Sequence, residues 1–250
     1  MELTGLWRYP VKSMQGEPLV TAEFTASGIA GDRRWGVQVE ESRRILSAKR
    51  DGRLMMAMAS TAATVVISLP SGCRLTGAGP GTDAALSGWL ERPVRLVEAE
   101  EQTTPTFESQ ADMTDDASRT VTWQGRPGSF VDSSAVHLVT SASLRAVRRQ
   151  RPDLDWRVAR FRPNLLVDAP GDERTEDSWV GRRCVIGGAE LEVVKPCTRC
   201  VMVTRPQPGG LDRQPGVLSH LSSSAEGCLG VLARVVHPGA VSLHDPVRVE

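Results

Sequence analysis

Short strand-like runs separated by turn residues recur along the first third of this 250-residue chain. Three of them are VTAEFTA at 20–26, RRWGVQVE at 33–40 and ATVVISLP at 63–70. Each run contains β-branched residues, and Gly, Pro and Asp residues lie between the runs, which is typical of strands joined by turns. Many short strands with few long helices predict a closed or sandwich-like β architecture with helices attached, that is, a mainly β fold of the α+β type.

Periodicity and turn residues also predict individual elements. A short helix is expected over 83–91, where apolar residues share a face. AVHLVT at 135–140 is typical of a strand, and the helix that follows would be capped by Ser141 or Ser143. RFRPNLLVD at 160–168 is typical of a further strand, on which Arg162 and Asn164 would share one face. Gly187-Gly188 predicts the turn of a hairpin.

Residues 98–128 lack a clear periodicity and are rich in Thr, Ser, Asp, Gly and Pro. This composition predicts a linker or excursion between two lobes. The predicted division is therefore an N-terminal domain at 1–97, a linker or excursion at 98–128 and a C-terminal domain at 129–250.

Composition restricts the class of partner and the compartment. Lys+Arg and Asp+Glu both total 30, so the net charge is zero, which argues against a chain that coats nucleic acid or an anionic membrane. The N-terminus has no signal-peptide pattern, and no window approaches the ~18 consecutive apolar residues of a membrane span. Five cysteines are an odd number for a disulfide scaffold. These features predict a cytoplasmic protein with mostly reduced thiols.

Cys197 and Cys200 form a Cys-x-x-Cys pair in PCTRC at 196–200, with Arg199 between the thiols. A structural zinc site is disfavoured, because the chain has no second Cys-x-x-Cys and no His pair at finger spacing. A redox dithiol normally opens a helix and is disfavoured too, because VMVT at 201–204 is typical of a strand. Two alternatives remain stronger: a pair of packed thiols, or one thiolate that binds a soft metal carried by a larger cofactor.

Basic and polar side chains at turns and strand ends favour the cofactor alternative. Lysine and arginine can bind a phosphate, and hydroxyl and amide groups can bind a heterocycle. Candidate side chains of these kinds are Lys12, Ser13, Arg33, Arg34, Thr140, Ser141, Arg162 and Asn164. Each one alone is a weak indication, and their spacing does not show that they converge.

Seven motifs occur in an order known from one protein family. They are RYPVKS at 8–13, GIAGDRRW at 28–35, HLVTSASL at 137–144, RFRPNLLVD at 160–168, EDSWVG at 176–181, PCTRC at 196–200 and HDPV at 244–247. The chain resembles the MOSC-domain proteins in these motifs. It resembles in particular the branch with a preceding N-terminal β-barrel domain, which includes the mitochondrial amidoxime-reducing component and its bacterial relatives. The resemblance implies an N-terminal β-barrel-like domain followed by a MOSC β-barrel domain.

The resemblance also implies a pyranopterin molybdenum cofactor, Mo-molybdopterin. Its metal would take a thiolate from the second cysteine of PCTRC, so Cys200 is the expected metal ligand and catalytic residue. Cys197 would be a packed thiol that does not bind the metal, and pyridoxal phosphate is not expected in this chain. The cofactor-binding residues implied by the resemblance are Lys12, Ser13, Arg33, Thr140, Ser141, Arg162, Asn164, Thr198 and Arg199.

The implied activity is the reduction of small N-hydroxylated compounds such as amidoximes. The chain has no four-cysteine cluster pattern, so the electrons are expected from a separate donor protein of ferredoxin-like, flavin or cytochrome type. One alternative is a carrier that delivers molybdenum cofactor or sulfur without turnover, and another is a β-barrel interaction module. Nucleic-acid and membrane partners are not expected.

One segment departs from the family pattern. After the cysteine motif, similar proteins mostly carry an Asp-Pro step before Thr-Gly, whereas this chain has Arg205, Pro206 and Gln207 there. The resemblance therefore leaves the substrate specificity open.

Overall fold

The computed structural model describes residues 1–112, 115 and 117–250. In these residues the fold is mainly β with three α-helices, which confirms the predicted fold class. The helices are α1 (Pro80–Leu90), α2 (Ser141–Gln150) and α3 (Pro215–Ser224). The strands are β1 (Glu2–Arg8), β2 (Glu17–Pro18), β3 (Thr21–Thr25), β4 (Gly28–Ile29), β5 (Trp35–Val39), β6 (Met58–Thr61), β7 (Val65–Ser68), β8 (Arg74–Thr76), β9 (Val94–Glu98), β10 (Thr106–Gln110), β11 (Thr120–Gln124), β12 (Val136–Thr140), β13 (Leu165–Asp168), β14 (Arg183–Ile186), β15 (Ala189–Thr198), β16 (Cys228–His237), β17 (Gly239–Ser242) and β18 (Val247–Val249).

A curled eight-stranded sheet carries most of the C-terminal half, in the order β18-β14-β15-β16-β12-β13-β1-β2. The first strand of the chain joins this sheet by pairing antiparallel with β13, and β3 pairs with β17 in a smaller sheet. The N-terminal half adds the pair β5-β9 and the three-stranded sheet β6-β7-β8. Because β1 leaves the large sheet at Arg8, the segment that follows runs back into the N-terminal half.

Each half has its own apolar core. Alternating strand residues such as Leu3, Val136 and Leu191 are buried in the C-terminal core. In the N-terminal half, Val37, Ile67 and further apolar residues of β5 to β9 pack against α1. Polar residues at the strand ends lie between the two cores, and they form the candidate site. The boundaries at 97/98 and 128/129 stay a prediction.

Several predicted elements are present with shifted ends. The predicted runs contain β3, β5 and β7, and the hairpin of β14 and β15 turns at Gly187-Gly188, with Ile186 opposite Ala189. Helix α1 begins at Pro80, three residues before the predicted start at 83. Proline is well suited to the first turn of a helix because its missing N–H would have no partner there.

Two local predictions were wrong at the end of β12 and before β13. The cap of α2 is Thr140, whose side chain accepts a hydrogen bond from the Ser143 N–H at 3.1 Å, so neither serine is the cap. Arg162 and Asn164 do not share a strand face, because β13 begins only at Leu165. Arg162 ends a 3-10 turn in the left-handed conformation, with φ of 52°. The residue type did not predict this backbone conformation, because arginine rarely adopts it.

The segment after Cys200 was also predicted wrongly. Val201–Thr204 forms a 3-10 turn rather than a strand, and Cys200 directly precedes it. Four β-branched or apolar residues favour a strand in isolation, but here Val201 and Val203 are buried while Arg205 ends the turn. A single turn has little dipole, so a thioredoxin-type dithiol remains disfavoured for a different reason.

The predicted linker contains regular structure. Strands β10 and β11 pair within 98–128, and Phe107 packs there against Trp123 and Phe130. Met113, Thr114 and Asp116 of this segment lie outside the described residues. Strand β10 buries the polar residues Glu108, Ser109 and Gln110 beside a single phenylalanine. Its sequence therefore lacks the alternation of apolar and polar residues from which a strand is predicted.

None of the helices in the described part of the chain is long and apolar enough to cross a membrane.

Candidate functional site

A cavity of about 430 Å³ lies between the N-terminal and C-terminal halves. It is lined by loops of the N-terminal half, by β12, by the turn before β13 and by the end of β15. Eight of the ten residues predicted from the resemblance line it. They are Lys12, Ser13, Arg33, Arg162, Asn164, Thr198, Arg199 and Cys200. Groups from four distant parts of the sequence therefore do converge.

Three of these residues have a strained backbone. Ser13, Arg33 and Arg162 have φ of 70°, 47° and 52°, in the left-handed region that non-glycine residues seldom occupy. Seven non-glycine residues of the described chain have positive φ, so three of the seven lie at one cavity. Such strain persists only where surrounding contacts fix it, and it is concentrated at functional sites.

Tyr9 fixes two of the arginines from behind the cavity wall. The guanidinium groups of Arg33 and Arg162 both lie over its ring, 4.6 Å and 4.4 Å from the ring centre. Its hydroxyl donates to the Pro163 carbonyl at 2.9 Å, so the ring cannot turn freely. Burial raises the pKa of Tyr9 to about 12 and lowers that of Arg162 to about 10. Tyr9 is therefore neutral and Arg162 cationic at neutral pH.

Asn164 and Asp32 complete this wall. The Asn164 side-chain oxygen accepts from Arg33 and from the His137 N–H, both at 3.2 Å, and its amide donates to the Trp7 carbonyl. Asp32 forms an ion pair with Arg33 and accepts from the Tyr9 N–H at 2.7 Å. Asn164 is fully buried, so it orients the wall rather than offering free donors.

Two lysines share one carboxylate on another part of the cavity wall. Asp132 forms ion pairs with Lys12 and with Lys49, the latter at 3.2 Å. Burial would raise the pKa of Asp132, but the two ammonium groups outweigh burial and hold it well below its usual range. Burial lowers the pKa of Lys12 to about 8 although Asp132 opposes this shift. Two cations with one counterion leave this wall with a net positive charge.

Arg199 holds one unused donor at the cavity. One terminal nitrogen lies 3.2 Å from His137 Nε2 and 3.0 Å from Cys197 Sγ, and the other donates to the Phe161 carbonyl at 2.8 Å. Because arginine can only donate, Nε2 of His137 must be the acceptor. Burial, with the charges of Arg199 and Arg33, keeps the pKa of His137 well below 6.5, so the ring is neutral.

The Nε–H of Arg199 is buried and has no hydrogen-bond partner among the described residues. An unpaired buried donor costs about 1–3 kcal/mol, so the contacts of the described residues themselves leave this group unsatisfied.

The two thiols of PCTRC both line the cavity but differ in exposure. Cys200 is half-buried, whereas Cys197 is buried, and burial raises the pKa of Cys197 although Arg199 opposes this. All five cysteines are free thiols. No group of three or more His, Cys, Asp or Glu side chains within the described ranges could hold a metal ion, so the structural-zinc alternative finds no ligand set there. One accessible thiol in a cationic cavity is suited to a polyanionic ligand with a soft centre.

Thr140 and Ser141 are the two predicted residues that the cavity does not include. The Thr140 hydroxyl donates to buried Glu176, which also accepts from the Ser143 hydroxyl at 2.6 Å. The Ser141 hydroxyl donates to Asp168 and accepts from the Ala169 N–H. Both hydroxyls are thus engaged in the start of α2. Residues at a strand–helix junction can bind an anion, as predicted, but they can also cap the helix, as Thr140 does here.

Lys49, Asp132 and His137 line the cavity and were missed by sequence reasoning. Lys49 is one of only three lysines in the chain, and this rarity is a signal that could have pointed to it. Asp132 lies in a polar segment without periodicity, and a single histidine in a strand is most often a packed one.

Comparison with known families decides the identity of this fold. A model of the MOSC N-terminal beta barrel domain matches residues 1–122, and a model of the MOSC domain matches residues 125–248. The chain belongs to the MOSC-domain proteins. Its cavity lies between the segments that the two models match.

Relatives of this MOSC protein include "Mitochondrial amidoxime-reducing component 1" of Homo sapiens, which is 27% identical over 97% of this chain and 81% of its own length. "Molybdenum cofactor sulfurase" of Drosophila yakuba is 32% identical over 40% of this chain and 12% of its own length. Among solved structures, the YUAD protein from Bacillus subtilis has a TM-score of 0.46 and 12% identity, covering 99% of this chain and 94% of that one.

Proposed function

We propose that this MOSC protein binds a pyranopterin molybdenum cofactor in the cavity and reduces N-hydroxylated compounds such as amidoximes. The names of its relatives support a molybdenum-cofactor-related function, since one is an amidoxime-reducing component and another a molybdenum cofactor sulfurase. The first of these aligns with nearly the whole chain. Electrons come from a separate donor protein of ferredoxin-like, flavin or cytochrome type.

One observation carries the proposal: the half-buried Cys200 thiol lies in a cavity whose charged side chains are all cationic except Asp132. The fit to the cofactor rests on the donor set. Thiolate sulfur is a good ligand for a soft metal, and guanidinium and ammonium groups bind phosphate. The unpaired Arg199 Nε–H is a further donor that the folded chain does not use. When bound, the cofactor supplies the two-electron chemistry that removes oxygen from nitrogen.

The residues of the cavity then divide the work. Cys200 holds the metal. Lys12, Lys49, Arg162 and Arg199 offer positive charge and hydrogen bonds to anionic and heterocyclic groups. Behind them, uncharged groups maintain the geometry and exclude water. They are Ser13, whose hydroxyl accepts from the Ala48 N–H at 3.0 Å, together with Tyr9, Asn164 and neutral His137.

Replacing Cys200 by serine tests the assignment. A hydroxyl is a hard, weakly acidic ligand, so Cys200→Ser is expected to lower the rate of benzamidoxime reduction by about 100-fold or more with a supplied electron donor. The matched control is Cys197→Ser, three residues away, because its hydroxyl can still accept from Arg199. The control is expected to keep its rate within about threefold. Equal rates for Cys200→Ser and the parent protein would refute the assignment.

The second candidate is a carrier that delivers molybdenum cofactor or sulfur without turnover. The local match to molybdenum cofactor sulfurase favours it. A carrier would hold molybdenum through Cys200 and release it to an acceptor protein, but it would not reduce benzamidoxime. Metal analysis and turnover on the same preparation separate the two functions.

A further inference from the structure

The segment that departs from the family pattern crosses to the N-terminal half. Arg205 ends the 3-10 turn that begins after Cys200, with its N–H donating to the Met202 carbonyl. Pro206 follows and disfavours a helical backbone at Arg205, which is extended with φ of −75° and ψ of 152°. The turn therefore stops here and the arginine side chain is directed away from it.

The Arg205 guanidinium binds the backbone of the segment that carries Lys49. Its Nη2 donates to the Lys49 carbonyl at 2.9 Å. The same side chain lies against Gly52, where an added Cβ would be 2.9 Å from Nη1 and 3.0 Å from Cδ of Arg205. Glycine at 52 thus permits the close approach, since any side chain there would displace the arginine.

Lys49 faces the cavity from this fixed backbone. Its ammonium group pairs with Asp132 at 3.2 Å and lies 5.9 Å from the Trp123 ring centre. Burial would lower the pKa of Lys49, but the charges of Asp132 and Cys200 outweigh burial and raise it. Lys49 and Cys200 both line the cavity, so the ammonium group and the thiol border the same space.

A second hydrogen bond joins the same segment to the N-terminal half. Gln207 is buried, and its side-chain oxygen accepts from Gln15 Nε2 at 3.1 Å. Gln15 lies three residues after Lys12, so Arg205 and Gln207 bind the segments of Lys49 and Lys12, two of the three lysines that line the cavity. The segment at 205–207, which departs from the family pattern, therefore connects the 3-10 turn after Cys200 to the segments that carry Lys12 and Lys49.

We propose that Arg205 is a positioning residue for Lys49, which it holds so that the ammonium group and the Cys200 thiol contact the same anionic ligand. The identity of that ligand rests on the proposed function, but the positioning itself does not. A hydrogen bond from a charged donor to a backbone carbonyl fixes the whole loop, whereas the flexible stem of Lys49 cannot do so alone. Loss of Arg205 leaves the lysine charge present but no longer held at the site.

The test measures the affinity of the full chain, purified without cofactor, for inorganic phosphate by calorimetry. The variants are Arg205→Gln, Gly52→Ala and Lys49→Met, with each of the first two also combined with Lys49→Met. Arg234→Gln is the control, since Arg234 forms an exposed ion pair with Glu192 and does not line the cavity. Unfolding midpoints are measured for all of them, so that a misfolded variant is recognised.

Lys49→Met is expected to weaken phosphate binding about tenfold, and Arg205→Gln and Gly52→Ala about three- to tenfold. In the Lys49→Met background the other two changes are expected to have no further effect, which a merely structural role of Arg205 would not produce. Arg205→Lys, which keeps a charged donor, is expected to recover part of the affinity.

Three results would overturn the proposal: unchanged affinity in Arg205→Gln and Gly52→Ala, equal losses with and without Lys49, or phosphate affinity in the parent protein that does not depend on Lys49. Coupling between Arg205 and Lys49 in a protein that fails to reduce benzamidoxime would leave the positioning intact and refute the proposed reductase.

Discussion

Two clusters of polar side chains lie near opposite ends of β12, and their hydrogen bonds are arranged differently. At the carboxyl end, Thr140 and Ser143 direct their hydroxyls at Glu176, which is fully buried. Near the other end, His137 faces a cavity with an unpaired Arg199 donor and two lysines that share one carboxylate. The first cluster satisfies its own groups, and the second leaves charge and donors for a ligand.

The difference shows what a motif can and cannot indicate. Both clusters contain residues that the family resemblance assigned to the cofactor, but only the cluster beside His137 combines open space, excess positive charge and an accessible thiol. A hydroxyl at a strand–helix junction has two uses, a helix cap and an anion ligand. Which of the two applies depends on whether the hydroxyl already donates a hydrogen bond to a buried neighbour such as Glu176. Substitutions in each cluster can therefore test whether one cluster stabilises the fold and the other binds a ligand.

The largest expected effect on stability is that of Thr140→Val. Valine keeps the shape but removes the cap of α2 and a hydrogen bond to buried Glu176. The free energy of unfolding is expected to fall by about 2–4 kcal/mol in urea titrations. Phosphate affinity of the folded protein should stay the same. A loss of affinity without a loss of stability would move Thr140 into the binding site.

The opposite pattern is expected for Arg199→Met, namely a loss of phosphate affinity with little change in stability. Methionine keeps part of the apolar stem and removes every donor, so phosphate affinity is expected to fall about tenfold by calorimetry. The free energy of unfolding should change by no more than about 1 kcal/mol, because the partners of Arg199 can be hydrated from the cavity. Arg234→Met is a matched control, since Arg234 is exposed and pairs with Glu192. If both variants bind phosphate equally well, Arg199 is not a ligand-binding group.

The smallest effect is a pH dependence at Glu176. Burial raises the pKa of Glu176 above 4.5, although hydrogen bonds from Ser143 and Thr140 oppose the shift. The native state therefore binds more protons than the unfolded state above pH 4.5, and this contribution to stability is lost as the pH rises through the native pKa. Glu176→Gln does not titrate, so its free energy of unfolding relative to the parent protein should rise with pH. Parallel stability curves from pH 4.5 to pH 8 would contradict this.

The fold was more predictable from the sequence than the site. Strands such as β3, β5 and β7 carry β-branched runs bounded by turn residues, which local propensity reports directly. The hairpin of β10 and β11 was missed because its stability comes from a few aromatic contacts and from an ion pair between partly exposed Arg92 and buried Glu108. Such contacts join distant residues and leave no period in the sequence.

For the site, the residue types were predictable but their convergence was not. Cys200, Lys12 and Arg162 were proposed from motifs, and the cavity brings them together. The left-handed backbone of Ser13, Arg33 and Arg162 could not be predicted, because it is imposed by tertiary contacts against local preference. The same limit hid Lys49, whose position depends on an arginine far away in sequence.

The central claim is that the cavity beside His137, and not the cluster around Glu176, holds a molybdenum cofactor. The most direct test is the molybdenum and pterin content per chain after native purification from cells that make the cofactor. The account predicts about one molybdenum per chain in the parent protein and in Thr140→Val, and nearly none in Arg162→Met. A parent protein without molybdenum, or a cofactor lost from Thr140→Val and retained by Arg162→Met, would contradict it.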